Sequence, residues 1–500
     1  MLFQEKCNFV VIISISKMKS NEYFVKIAIL GLWLAMASCT QRPECSYPIP
    51  TKQQLEWQQL ETYAFIHFGL NTFNDMEWGY GNTPSYTFNP TNLDCEQWVL
   101  TLKACGMKGV ILTAKHHDGF CLWPTETTEY SIKNTYYKDG EGDLVKELSD
   151  ACKKYGLKFG LYLSPWDRHQ SEYGYEGYVE IYHKQIEELV SNYGPLFEFW
   201  FDGANGGTGW YGGADEMRSI VAEHYYNYEK ARDIVWKYSP EASIFGGTVP
   251  TLRWIGNEKG VADATQWCMY KKDFESLNDE KNLKRGFRDG DVWLPAEVDV
   301  SIRPGWFYHA SEDGQVKTVE QLTDLYYNSV GHNANLLLNF PVDLEGKIPA
   351  IDSAYAVQWY QKMQKDFSDN LLKASKVKAS HTRGLRFEAK QVLSDDYTRY
   401  WAADDGVRRA ELIFEFPQPT VFNRLMLQEY IPMGQNVEWF CLDYYANGKW
   451  LPIETDEPLT TIGYKCLVRF PTVKAEKLRI RFHVFKGTLC INHVGAFLAE

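Results

Sequence analysis

Hydrophobic positions along this chain change their period twice. Between about residues 60 and 345, short apolar runs alternate with stretches in which apolar residues recur every three or four positions. The runs are Tyr63–Gly69, Gly109–Lys115, Lys158–Ser164, Phe197–Asp202, Ala242–Gly246, Val292–Val298 and Asn335–Phe340. Their near-continuous Val, Ile, Leu and Phe content predicts strands covered on both faces. Between them, Trp98, Val99, Leu102 and Cys105 mark one buried helix face, and Leu144, Val145, Leu148 and Cys152 another. Ile181, Ile186, Leu189 and Val190 mark a third, and Glu216–Tyr238 and Val319–Val330 continue the series. Alternating strand and helix predicts a parallel sheet in an α/β fold. A closed (β/α)8-type barrel over residues 48–365 fits the number of units, with a doubly wound sheet as the alternative. The first strand runs into His67-Phe68-Gly69-Leu70-Asn71 and lacks the GxGxxG turn of a dinucleotide fold, which weakens that alternative.

From about residue 370 the helical spacing fades. Leu385–Glu388, Arg409–Phe416, Val421–Glu429, Phe440–Ala446, Cys466–Phe470, Lys477–Val484 and Cys490–Phe497 read as strands, separated by turns such as Asn447-Gly448. They predict an all-β sandwich domain over residues 370–500. At the other end, residues 27–37 form an apolar run behind Lys19 and Lys26, too short for a permanent span. Residues 1–39 are therefore read as an export leader. Met18-Lys19 is the better start, which leaves residues 1–17 as a preface. Cys39 after Ser38 resembles the lipidated cysteine of the bacterial lipoprotein box. The expectation is an exported protein, a periplasmic or outer-membrane lipoprotein of a Gram-negative bacterium, touching membrane only through a lipid anchor.

Composition narrows the function. Lys and Arg total 52 against 65 Asp and Glu, a net charge of −13, and no basic domain stands out, so nucleic acid is excluded as the expected partner. Eleven cysteines without a CxxC pair or zinc spacing suggest neither a disulfide scaffold nor a zinc site. The 17 Trp and 32 Tyr need large cores or ligand surfaces.

Polar residues gather where the predicted strands end, which is where a barrel carries its chemistry. His67 ends the first strand, and His116, His117 and Asp118 end the second. Trp166 and Asp167 end the third, and Asp202 the fourth. Arg253-Trp254-Ile255-Gly256-Asn257-Glu258 follows the fifth. Glu297 and Asp299 lie on the sixth, before Arg303 and Trp306. A metal site is not expected, because neighbouring residues on a strand point to opposite faces and His116 and His117 converge only if the strand has ended. Glycoside hydrolysis needs two carboxyl groups and aromatic faces. Asp202, closing the apolar run FEFWFD with Gly203 beside it, is the candidate nucleophile. Glu258 or Glu297 is the candidate acid/base; Glu297 is equally a candidate partner of Arg303.

Six motifs then fall in order: Ile66-His67-Phe68-Gly69, Glu77-Trp78-Gly79, Lys115-His116-His117-Asp118-Gly119-Phe120, Leu163-Ser164-Pro165-Trp166-Asp167, Phe199-Trp200-Phe201-Asp202-Gly203 and Arg253-Trp254-Ile255-Gly256-Asn257-Glu258. With them the chain resembles the α-L-fucosidases of glycoside hydrolase family 29. The resemblance implies a retaining mechanism with Asp202 as nucleophile and Glu258 as acid/base, leaving Glu297 in reserve. It implies sugar contacts from His67, Glu77, Trp78, His116, His117, Trp166 and Trp306. The RWxGNE branch implies α-1,3- and α-1,4-linked fucose on oligosaccharides or glycoconjugates, with no cofactor required. Ser380-His381-Thr382, Tyr400-Trp401-Ala402 and Leu427-Gln428-Glu429-Tyr430 resemble galactose-binding, discoidin-like sandwiches. That second likeness implies glycan binding, a structural calcium ion or a buttress for the barrel, the last being the expectation. Two other readings are a non-catalytic glycan-binding or adhesion protein and a glycosidase for another sugar.

Overall fold

The computed structural model describes residues 42–272, 279–484 and 486–499. The leader and Cys39 lie outside the described residues, as does much of the loop 271–282.

Eight parallel strands form one sheet: β1 Thr62–Ile66, β2 Gly109–Lys115, β3 Lys158–Leu163, β4 Glu198–Trp200, β5 Ser243–Phe245, β6 Arg253–Trp254, β7 Ala296–Ser301 and β8 Ala334–Asn339. Their order is β5-β4-β3-β2-β1-β8-β7-β6. A parallel bridge between Phe245 and Leu252 brings the two edges together, and the Thr251 amide donates to the Ile244 carbonyl at 2.9 Å. The sheet is thus a nearly closed barrel. Helices start where a side chain can take orphan amides: Asp94 caps Cys95–Ala104, Asp143 caps Leu144–Tyr155, and Thr318 with Gln321 forms a capping box on Val319–Asn328. The apolar faces of these helices, and of the helix Glu176–Tyr193, bury Trp98, Leu102, Leu148, Leu189 and Leu325 against the outside of the sheet.

Three sequence expectations are corrected. The fifth crossover carries no helix, and Arg253–Trp254, read as a loop, is the sixth strand; two residues are too few to leave a periodic pattern. Glu258 therefore follows β6, and Glu297 lies on β7. The run Val292–Val298 is two elements. Val292–Trp293 pairs antiparallel with Met269–Tyr270, and β7 begins only after Pro295, which has no amide to give a ladder. The helix expected from Glu216 begins at Tyr228, with a shorter one at Ala222–Tyr225.

The C-terminal region is a seven-stranded antiparallel sheet: β9 Lys376–Ala379, β10 Trp401–Ala402, β11 Arg409–Glu429, β12 Val437–Ala446, β13 Lys449–Pro452, β14 Cys466–Val484 and β15 Cys490–Phe497. Leu385–Phe387, expected as strand, is a 3-10 turn. The long strands β11 and β14 shift register between Glu415 and Thr420, around Pro417 and Pro419. The sheet closes on its own core of Trp401, Leu412, Phe422, Leu425, Leu478 and Ile480. Of its surface indoles, Trp439 stacks on His483 at 4.8 Å and Trp450 lies under the Arg479 guanidinium at 4.4 Å.

Polar contacts join this domain to the barrel. Buried Gln435 donates to the Gln266 carbonyl at 2.7 Å and accepts the Cys268 amide at 2.8 Å. Thr461 accepts the Gln266 amide, and Asn333 accepts the Tyr464 amide. The contacts to Gln266 and Cys268 grip the segment between β6 and β7, and Asn333 lies just before β8.

Candidate active site

A strand exposes every second residue to the same face, so each barrel strand stacks inward-facing side chains in layers. On β4 the inward series is Glu198, Trp200 and then Asp202 just past the strand; on β7 it is Glu297, Asp299 and Ser301; on β1 it is Tyr63, Phe65 and then His67. The lowest layer is dry. Glu198 and Glu297 are fully buried there. Trp57 donates to Glu198 at 2.8 Å, and Trp200 at 2.8 Å and Tyr63 donate to Glu297. Burial, and then the neighbouring Glu297, push Glu198 well above the usual carboxyl range; burial also pushes Glu297 up. Such a pair holds a proton, since two charges cannot both ionise in a dry site.

Above it opens a cavity of about 650 Å³ at the carboxyl ends of the strands. His67, Glu77, Trp78, His116, His117, Asp202, Glu258 and Trp306 all line it, with Phe65, Tyr162, Trp200, Phe245 and Asp299. Strand β2 has ended at Lys115, so His116 and His117 both turn inward, their rings 4.1 Å apart. Asp202 is held at both oxygens: Tyr162 donates to Oδ2 at 2.8 Å and the Ala204 amide to Oδ1 at 2.7 Å. His117 Nε2 stands 4.0 Å from Oδ2.

Hydrogen-bond networks assign the histidine protons. Asn339 spends its amide nitrogen on Ser301 and the Trp306 carbonyl, so its oxygen accepts from His67 Nδ1 at 2.8 Å. Ser164 donates to the Trp166 carbonyl at 2.6 Å and accepts from His117 Nδ1 at 2.7 Å. His67 and His117 therefore each keep a bare Nε2 acceptor. Asn71 accepts the Gly79 amide, so its nitrogen donates to His116 Nδ1 at 3.4 Å, which leaves His116 an Nε2 donor. Burial lowers His67 to about 3 and also lowers His116 and His117, with Asp202 opposing the shift at His117. Three neutral imidazoles line the wall.

The other wall is more open. Glu258 is exposed, and Trp306 donates its indole N–H to it at 3.3 Å. Glu77 accepts the Trp306 and Phe307 amides at 2.9 and 3.1 Å and His309 at 2.8 Å, tying the first loop to the one after β7. Arg253, buried and without a carboxylate partner among the described residues, donates to the carbonyls of Leu283, Leu294 and Trp267 and to Gln266. Burial pulls it down to about 10. Its role is to bind the strands and loops around Glu258 together.

Two expected site residues stand elsewhere. Trp166 is buried behind the wall, donating to Tyr211 at 2.9 Å and packing on Trp78 and His117. Glu297 lies in the dry layer below, so it does not line the cavity. Nor is it the partner of Arg303, which pairs with Asp352 at 2.7 and 2.8 Å and with Asp313. Sequence reasoning missed Tyr162, the donor to Asp202, although alternation back from Ser164 in KFGLYLS would have found it.

A family model described as α-L-fucosidase matches residues 37–407. Alpha-L-fucosidase 1 of Arabidopsis thaliana is 39% identical over 460 residues, spanning 90% of this chain and 88% of its own length. A putative α-L-fucosidase from Bacteroides thetaiotaomicron superposes with a TM-score of 0.85 at 39% identity, over 92% of this chain and 99% of that one. A Ruminococcus gnavus family 29 fucosidase, solved in complex with fucose, superposes with a TM-score of 0.83 at 34% identity, over 92% and 97% of the two chains. The barrel, the cavity at its strand ends and these likenesses agree: the chain belongs to the α-L-fucosidases of glycoside hydrolase family 29.

Proposed function

We propose that this protein is an exported, retaining α-L-fucosidase that removes terminal α-1,3- or α-1,4-linked fucose from oligosaccharides or glycoconjugates. The observation that carries the reading is Asp202, held at both oxygens at the top of β4 and sharing one cavity with Glu258. In the first step an Asp202 oxygen attacks the anomeric carbon, the glycosidic C–O bond breaks, and Glu258 gives its proton to the leaving oxygen. In the second, Glu258 takes a proton from water, whose oxygen attacks the same carbon and frees Asp202. His67 and His117 accept from sugar hydroxyls, and His116 donates to one. The aromatic wall of Phe65, Trp200, Phe245 and Trp306 suits a deoxy sugar that carries a methyl at C6. The complex of the R. gnavus relative with fucose supports the choice of sugar. The C-terminal domain serves as a buttress that pins the segment carrying Glu258. Export and a lipid on Cys39 rest on the sequence of residues 19–39.

Two products test this. Proton NMR of fresh hydrolysate should show α-L-fucose first; β-fucose first contradicts retention. On oligosaccharides bearing α-1,2, α-1,3, α-1,4 or α-1,6 fucose, the 1,3 and 1,4 bonds should be cut at least tenfold faster. Equal rates contradict the linkage reading.

A further inference from the structure

Besides Asp202 and Glu258, three carboxyl groups line the cavity, Glu77, Glu280 and Asp299, and of these three Asp299 alone is buried. Asp299 is in the middle layer of β7, two residues above Glu297, and lines the sugar cavity while only 3% exposed. Its Oδ1 accepts the Trp254 indole N–H at 2.7 Å. That bond fixes the carboxyl against β6, and among the described residues no other side chain donates to it. Opposite it on β8 stands Leu337, which offers no charge. The ionisable groups facing it are Glu258, from the loop after β6, and Glu297, below it on its own strand. Among the described residues no cation joins them. An ionised Asp299 would hold its charge in a nearly dry position, at the cost of desolvation.

We propose that Asp299 is a neutral carboxylic acid of the sugar-binding site, its Oδ2 hydroxyl donating to a hydroxyl of the bound fucose while Oδ1 holds the Trp254 indole. Burial, and then Glu258 and Glu297, raise it well above the ordinary carboxyl range. A neutral acid has two uses here. It supplies a donor to a cavity whose His67 and His117 present acceptors, and it adds no charge that would perturb Glu258. This inference rests on the fucosidase reading above.

The two halves of the proposal are read separately. Asparagine copies the neutral acid: its oxygen accepts from Trp254 and its nitrogen donates to the sugar. Calorimetry with fucose should therefore give Asp299→Asn a Kd within about threefold of wild type. Asp299→Ala, lacking the donor, should bind at least tenfold more weakly. Asn binding as weakly as Ala would show that a carboxylate is needed, and Ala binding like wild type would show that Asp299 does not touch the sugar; either overturns the proposal. An infrared difference spectrum at pH 7 between wild type and Asp299→Asn needs no substrate. It should show the carbonyl band of a protonated carboxyl in wild type only, and a carboxylate band in its place overturns the proposal. A wild type that binds no fucose, with the protonated band present, would instead locate the failure in the substrate reading.

Discussion

The barrel holds two pairs of carboxyl side chains one above the other, Glu198 with Glu297 and Asp202 with Glu258. Both pairs have indole or phenol donors: Trp57, Tyr63 and Trp200 below, Tyr162 and Trp306 above. They differ in access. The lower pair is fully buried beneath Trp200 and Phe65 and keeps a proton between its members. In the upper pair Asp202 is about one-fifth exposed and Glu258 is open to solvent. An acid that must trade protons with water and a sugar has to reach both, so position along the strand separates a structural carboxyl from a reactive one. The walls of the upper pair differ as well. Asp202 sits on a rigid strand end, whereas Glu258 sits on a loop held from behind by Arg253 and from outside by Gln435.

The comparison breaks most sharply at Asp202. Asp202→Asn should lower kcat on an aryl α-L-fucoside by about 10⁴-fold, with an unchanged melting temperature, because a nucleophile is lost and only a charge leaves the strand end. Glu258→Ala should lower kcat by about 10²–10³-fold, with azide restoring turnover as fucosyl azide. Rescue at Glu297→Ala in place of Glu258→Ala would exchange the roles of the two pairs. Glu297→Ala should instead destabilise the fold by about 3 kcal/mol in denaturant titrations, leaving Tyr63 and Trp200 without their acceptor, with kcat changed less than tenfold. Trp306→Phe, which removes one long hydrogen bond to Glu258, should cost about two- to fivefold in kcat/KM.

The two layers also carry opposite pH signatures. The folded state holds a proton on the Glu198–Glu297 pair that the unfolded chain releases above its ordinary value of 4.5. The stability from this pair is complete below that value and is lost as pH rises through the raised folded range. Glu297→Gln should flatten the fall of melting temperature on the alkaline side. His67 acts in reverse. Its folded value near 3 lies below 6.5, so its contribution is complete above pH 6.5 and is lost as pH falls from 6.5 towards 3.

Asp202 was legible because it closes the apolar run FEFWFD at a strand end, where a charge among apolar neighbours is costly unless it has a use. The break after Lys115 was legible as a condition, since two adjacent histidines can converge only beyond a strand. Depth was not. The run VWLPAEV gives Glu297 the same local surroundings whether it opens to the cavity or lies a layer below, and only the register of β7 against β8 decides. For the same reason Asp299, two residues on, was passed over as one more polar residue of the ring. The sixth strand was hidden because Arg253–Trp254 is too short to show a period, and its pairing with β7 comes from tertiary contacts. Trp166 carried the chemistry of a sugar contact, yet Tyr211 and Trp78 enclose it, and these come from two other loops.

The central claim is that Asp202 forms a bond to the sugar. Incubation with a 2-deoxy-2-fluoro-α-L-fucosyl fluoride, followed by peptide mass spectrometry, reads that bond directly. The account predicts one fluorofucosyl group, in ester linkage to Asp202. A label on Glu258, Glu297 or Asp299 would contradict it.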